Sequence, residues 1–209
     1  MSKPSLILIG AGGHARACID VIEMNGQFQI AGFVGFPSEM NGKHFDYAVI
    51  ATDNELPRLV KEYQYAVISV GQIQTPDHRM RLFQMAIELG FQFPVIISPS
   101  SYVSHNATIG AGTIVMHGAI VNAGARVGGN CIINSQALVE HDTVVEDHCH
   151  ISTGAILNGD VRIGVGSFVG SGSVVKEGVT IGQRSVVGMG LAVRQNLAEY
   201  TRFVGGDKS

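Results

Sequence analysis

From Val103 onward every sixth residue is aliphatic. Val103, Ile109, Val115, Val121, Val127, Ile133, Val139, Val145, Ile151, Leu157, Ile163, Val169, Val175, Ile181, Val187 and Val193 follow one another with no break in frame. Four places after each stands a small or apolar residue, such as Ala107, Thr113, Ala119, Ala125, Cys131, Ala137 or Thr143. A period of six is neither the 3.6 of a helix nor the alternation of a half-buried strand. It is the hexapeptide spacing of a parallel β-helix. Three hexapeptides make one coil of eighteen residues, and each coil buries its aliphatic column against the coils on either side. The series accounts for a little over five coils.

The chain before the repeat reads differently. Residues 5–9 form a buried strand pattern, followed by Gly10-Ala-Gly-Gly-His-Ala15 and a helical stretch from about Arg16 to Met24. In that strand–turn–helix context Gly-x-Gly-x-x-Ala carries meaning. Glycines admit a ligand close to the backbone, and a helix N-terminus favours a phosphate. A dinucleotide, another phosphate-bearing ligand and a purely structural tight turn all fit. A dinucleotide site also wants an acid at the end of the second strand, which here ends in Gly35-Phe36. Further strands are expected near Gln29–Val34, Tyr47–Ala51, Tyr65–Val70 and Phe93–Ile97. Helices are expected near Asn54–Glu62 and over Arg79–Leu89, the latter closed by Gly90. This alternation predicts a small parallel, Rossmann-like α/β sheet. Pro94 and Pro99 bracket the junction, so the expected domains are residues 1–98 and 99–209. After Val193 the period lapses, and Gln195–Tyr200 is expected as a short helix or an irregular arm.

The chain has 209 residues and a net charge of −3 with its charges scattered. It shows no basic stripe for a phosphate backbone, so nucleic acid is not an expected partner. No apolar run approaches the roughly 18 residues that cross a bilayer, and no leader pattern follows the first residues. A cytoplasmic protein is expected. The three cysteines do not make a disulfide framework. Cys131 and Cys149 lie one coil apart and read as two small core residues.

Register lets stacking be read by arithmetic. His141 has Ala123 and Gly159 as its neighbours eighteen residues away, and so sits in a notch, flanked by Glu140 and Asp142. A carboxylate there can hold the imidazole in one tautomer and raise its basicity. The run Glu140–His150 also suggests a metal cluster. However, His148 and His150 belong to another face, and His105 lies two coils away, about 9.6 Å along the axis. Ligands at about 2.1 Å from one zinc cannot span that, so no metal is expected. His117 sits on a different face from His141. His14 stands either to donate to a ligand or to serve the helix N-terminus. Gly170-Ser-Gly172 and Gly188-Met-Gly190 stack one coil apart, a smooth strip suited to a pantetheine arm.

Four stretches carry a resemblance: Leu6-Ile-Leu-Ile-Gly-Ala-Gly-Gly-His14, Ile133-Asn-Ser-Gln-Ala-Leu-Val-Glu-His-Asp142, His148-Cys-His-Ile-Ser-Thr-Gly154 and the hexapeptide series. Together they resemble bacterial acetyltransferases that act on nucleotide-linked amino sugars and on sialic acids. The resemblance implies a left-handed, three-sided β-helix, a homotrimer with active sites between neighbouring prisms, and acetyl-CoA as donor. It assigns His141 as general base and Asp142 as the acid beside it. His150, Ser171 and Met189 fall at acetyl-CoA contacts. Gly12, Gly13, His14 and Gly71 fall at positions that hold the nucleotide sugar. Two features depart from the family. Many members that use UDP-sugars carry paired aspartates where Gly35-Phe36 stands, and many end in Gly-x-Pro-Ala, where this chain has Gly205-Gly206-Asp207.

The expected activity is N-acetylation of a nucleotide-linked 4-amino-4,6-dideoxy sugar in glycan biosynthesis. His141 would promote direct attack of the amine on the thioester, with a backbone N–H near Gly159 at the oxyanion. O-acetylation of a sialic acid, a metal-dependent hydratase like the γ-type carbonic anhydrases, and a non-catalytic nucleotide-sensing trimer are the alternatives.

Overall fold

The computed structural model describes residues 3–40 and 42–205. It divides into two compact units. One holds the chain up to Gly71 together with Asp77–Ser98. The other holds Gln72–Pro76 together with the chain from Pro99 onward.

The first unit is built on a five-stranded sheet. Its strands are β1 (Ser5–Ile9), β2 (Gln29–Gly35), β3 (Lys43–His44), β4 (Tyr47–Thr52) and β5 (Tyr65–Ile68), in the order β3-β4-β2-β1-β5. All neighbours are parallel except β3 and β4. Leu6–Ile9 are fully buried, as a central strand covered on both faces requires. Helices α1 (Gly13–Asn25), α2 (Leu56–Leu59) and α3 (Asp77–Leu89) complete the unit. A core of Ile7, Ile9, Val34, Leu56, Ile68, Phe83 and Phe93 joins sheet and helices. Gly26, at φ 71°, ends α1 by returning its N–H to Ile22 O at 3.0 Å.

Several boundaries differ from the sequence expectation. Helix α1 begins three residues early, at Gly13. The stretch expected as a helix near Asn54–Glu62 is a 3-10 turn, Asp53–Glu55, followed by the four residues of α2. Strand β3 is too short to carry a periodic signal. The expected strand Phe93–Ile97 shrinks to β6 (Ile96–Ile97), with Gln92 only bridged to Tyr65. Pro94 has no N–H to give a ladder.

The second unit is a parallel β-helix whose three faces are sheets of two-residue strands. The first face runs through Tyr102–Val103, Ile120–Val121, Leu138–Val139, Ile156–Leu157, Val174–Val175 and Ala192–Val193. The second runs through Thr108–Ile109, Arg126–Val127, Val144–Val145, Arg162–Ile163 and Thr180–Ile181. The third includes Ile114–Val115, Ile132–Ile133, His150–Ile151, Phe168–Val169, Val186–Val187 and Arg202–Phe203. Partners from Tyr102 to Ala192 are eighteen residues apart, as the sequence register requires. The inward column is buried throughout the middle coils, from Val121 to Val187.

Of the two forms expected for the tail, the irregular arm is the one present. Gln195–Tyr200 is not a helix: Leu197 bridges to Ile181, and Arg202 pairs with Val186. Both offsets are sixteen rather than eighteen, so a sixth coil closes two residues short. Gly206 and Asp207, where the C-terminal departure from the family falls, lie outside the described residues. Among the described residues no helix is long and apolar enough to cross a membrane.

Candidate functional site

His141 leaves the first face just after Leu138–Val139. Its Nδ1 stands 3.0 Å from Asp142 Oδ2. A ring nitrogen facing a carboxylate carries the proton, so Nδ1–H donates and Nε2 presents its lone pair outward. The bond to Asp142 raises the imidazole pKa above its ordinary value, and the charges of Asp142, Glu140 and Asp160 add to the effect. Asp142 adopts φ 60°, a left-handed corner that aspartate tolerates. The His141 N–H donates to Glu140 Oε2 at 3.1 Å.

The notch is real. A Cβ on Gly159 would stand 2.6 Å from His141 Cε1 and 2.7 Å from Nε2. On the other side, the Asp142 carboxylate occupies the space a Cβ of Gly124 would take. His141 and Asp142 therefore fill the space that two glycines leave open. Around them opens a cleft of about 670 Å³, lined by Glu140, His141, Asn158, Gly159, Asp160, Glu177 and Gly178. Its rim carries three carboxylates. Asp160 and Glu177 stand one coil from Asp142 and two coils from His141 in the eighteen-residue register. The arithmetic that placed Gly159 could have found them.

His150 is buried on the third face, with its ring edge-on to Phe168. Its Nδ1–H donates to the Gln72 carbonyl at 2.6 Å. Nε2 therefore accepts, and Asn134 Nδ2 lies 3.1 Å away. Asn134 Oδ1 takes the Ser135 N–H, which fixes the amide. Gln72 is itself buried, and its Nε2 donates to the carbonyls of His148 and Gly166. Sequence reading missed this clasp, because Gln72 lies outside the repeat. Ser171 and Met189 are exposed, and Gly190 N–H bonds Ser171 O at 2.9 Å, which confirms that their strips stack. Cys131 and Cys149 are buried and unbridged. Burial pushes the Cys149 thiol well above its ordinary pKa, so it is no nucleophile.

The other predicted residues belong to the first unit. Gly12 and Gly13 are open: a Cβ on either would meet nothing within 4 Å. Gly71 lies against His14, 3.5 Å from its Cβ to an added methyl, and Ser69 Oγ donates to Gly10 O. Helix α1 has no side-chain cap and no acid in its first turn. It carries Arg16 there instead, a cation that the helix dipole disfavours unless an anion joins it. His44, missed in the sequence, donates from Nε2 to Ala11 O and accepts Arg16 Nε at 3.3 Å through Nδ1. The turn thus offers an open helix start at Gly12 and Gly13 and a tethered cation, the equipment of a phosphate site.

The remaining histidines are dispersed. His105 is exposed, and His117 faces Ser100 at 3.4 Å. Asn130 lies 3.0 Å from His148. Among the described residues no three histidine, cysteine, aspartate or glutamate side chains are grouped to hold a metal.

Comparison with known proteins adds the following. Residues 5–85 match the family model of the PglD N-terminal domain, and residues 160–195 match the hexapeptide repeat of succinyl-transferase. No curated protein sequence matches the chain. Among solved structures, a histidine-to-asparagine variant of perosamine N-acetyltransferase from Caulobacter crescentus, in complex with CoA and GDP-perosamine, is 30% identical. It superposes with a TM-score of 0.89 over 95% of this chain and 92% of its own. The acetyltransferase domain of PglB from Neisseria gonorrhoeae, in complex with acetyl coenzyme A, is 31% identical, with a TM-score of 0.87 over 95% of each chain. WeeI from Acinetobacter baumannii, 19% identical with a TM-score of 0.80 over 93% and 94%, shares the fold.

Proposed function

The chain belongs to the nucleotide-sugar N-acetyltransferase family and is an acyltransferase; from that premise we propose that it acetylates the amine of a nucleotide-linked 4-amino-4,6-dideoxy sugar. The donor is acetyl-CoA, which a similar domain binds. The observation that carries this reading is the His141–Asp142 pair, with Nε2 unblocked in an acid-rimmed cleft.

The amine nitrogen attacks the thioester carbonyl. His141 Nε2 takes the proton released as the N–C bond forms, and Asp142 stabilises the resulting imidazolium. The tetrahedral oxyanion collapses, the C–S bond breaks, and the CoA thiolate leaves to be protonated. A backbone N–H near Gly159 steadies the oxyanion. The acidic rim favours an acceptor that arrives as an ammonium over a neutral hydroxyl; the ammonium gives one proton to solvent, and the neutral amine is what attacks. No acyl-enzyme forms, because Cys131 and Cys149 are buried. Ser171 and Met189 line the donor's path with backbone. His150, with both ring nitrogens engaged, serves the donor by holding Asn134. Gly12, Gly13, His14 and Gly71 hold the nucleotide, with the diphosphate at the start of α1.

We further propose a cytoplasmic homotrimer. Outward on the first face, Tyr102, Ile120 and Val174 are exposed, Leu138 and Ile156 are half-buried, and Ala192 completes an apolar column. Such a stripe is what a neighbouring prism covers, and His141 stands at its edge.

Release of free CoA thiol from acetyl-CoA tests the activity. The assay uses a panel of UDP-, GDP- and dTDP-linked 4-amino sugars, with sialic acid as the hydroxyl control. Turnover with an amino sugar supports the reading. Turnover confined to sialic acid overturns it.

A further inference from the structure

No acid occupies the end of β2, where Gly35-Phe36 stands. The fold nevertheless brings a carboxylate there. Glu39 closes the 3-10 turn Pro37–Glu39 and folds back over the strand end, where its Oε2 accepts the Phe36 N–H at 2.8 Å. A Cβ on Gly35 would stand 2.8 Å from that oxygen and 3.1 Å from Ala11 Cβ. The missing side chain at position 35 leaves room for the carboxylate on the side of the strand end where Ala11 of the glycine turn also lies. Oε1 has no hydrogen-bond partner among the described residues.

In α/β sheets that seat a diphosphate on the helix after the first strand, an acid at the carboxyl end of the second strand accepts the ribose hydroxyls. We infer that Glu39 performs that role in this chain: Oε1 accepts the 2′-hydroxyl of the nucleotide whose diphosphate rests on Gly12 and Gly13. The inference rests on the reading of that turn as the nucleotide-sugar site. Phe36 N–H aims the carboxylate, and the accepting acid comes from four residues beyond the strand rather than from its last position. A 2′-deoxyribose lacks the hydroxyl that Oε1 would accept. The substrate class is accordingly a ribonucleoside diphosphate sugar, and dTDP-linked sugars are poor substrates.

Calorimetric titration of the full chain with GDP and UDP and with their 2′-deoxy counterparts tests this. A hydrogen bond to a charged group predicts about 10- to 100-fold tighter binding of the better ribonucleotide than of its deoxy partner. In Glu39→Ala that ratio falls to near one. In Glu39→Gln, which keeps the Phe36 bond, it falls several-fold. A carboxylate that merely caps the turn would leave the ratio unchanged in both variants, and that result overturns the inference, as does a wild-type ratio of one. If the wild-type protein binds none of the four nucleotides, the reading of the glycine turn fails, and this inference with it.

Discussion

At the scale of the residue, the chemistry concentrates in His141. Its Nδ1 is committed to Asp142, so Nε2 is the base. His141→Ala is expected to lower kcat by about 10²–10⁴-fold, the worth of general-base help, in the thiol-release assay. The raised pKa has a sign that can be tested. The base acts when neutral, so the acid limb of kcat/KM lies above the ordinary histidine value. Asp142→Asn retains the left-handed corner at φ 60° but removes the charge and the main cause of the shift. The limb then moves to lower pH, and the plateau falls because the base is weaker; a pH–rate profile of the variant reads both. His141 could be picked from eight histidines because the eighteen-residue register places Gly159 beside it. The tautomer could not be read that way, since it depends on the rotamers of two exposed side chains. Glu39 was hidden for a related reason: its carboxylate reaches β2 by folding back through a turn, which no strand-end motif encodes.

At the scale of the element, glycines divide into two kinds. Gly159 faces the tip of an exposed histidine, whereas Gly170 faces the backbone of the next coil, 2.5 Å from Gly188 C and 2.6 Å from Met189 N to an added Cβ. An imidazole can swing aside and a backbone cannot. Gly159→Ala is expected to melt near the wild-type temperature while losing about 10²-fold in activity from the displaced base. Gly170→Ala is expected to lose about 1–3 kcal/mol of stability through overpacking; urea denaturation of the two variants separates these effects. The six-residue ladder made the coils legible because every buried position repeats. Strand β3, the break at Pro94 and the clasp of Gln72 escaped, for each rests on a single local contact rather than a period. The shortened sixth coil escaped likewise, since two missing residues look like the end of a pattern.

At the scale of the whole molecule, the apolar column on the first face is the feature to challenge. Light scattering behind a sizing column is expected to give about three times the 22.1 kDa of the chain. Ile120→Glu changes only a surface position of the lone prism, where substitutions cost within about 0.5 kcal/mol. Inside an assembly it places a charge in an apolar seam. The variant is therefore expected to fold, to run as a monomer and to lose most transfer activity; a trimer with normal turnover would show that the column is not the interface. The other end of the prism poses the opposite problem. A stack of like coils is a polymer with an unterminated tip, whose unpaired amides invite another strand, as in fibril growth. Drawing the last coil in by two residues, and setting the exposed Arg194 and Arg202 on it, leaves that tip out of step with any further coil and cationic besides. The same shortening withholds a matched edge at this tip, so the last described coil is a poor template for a further one.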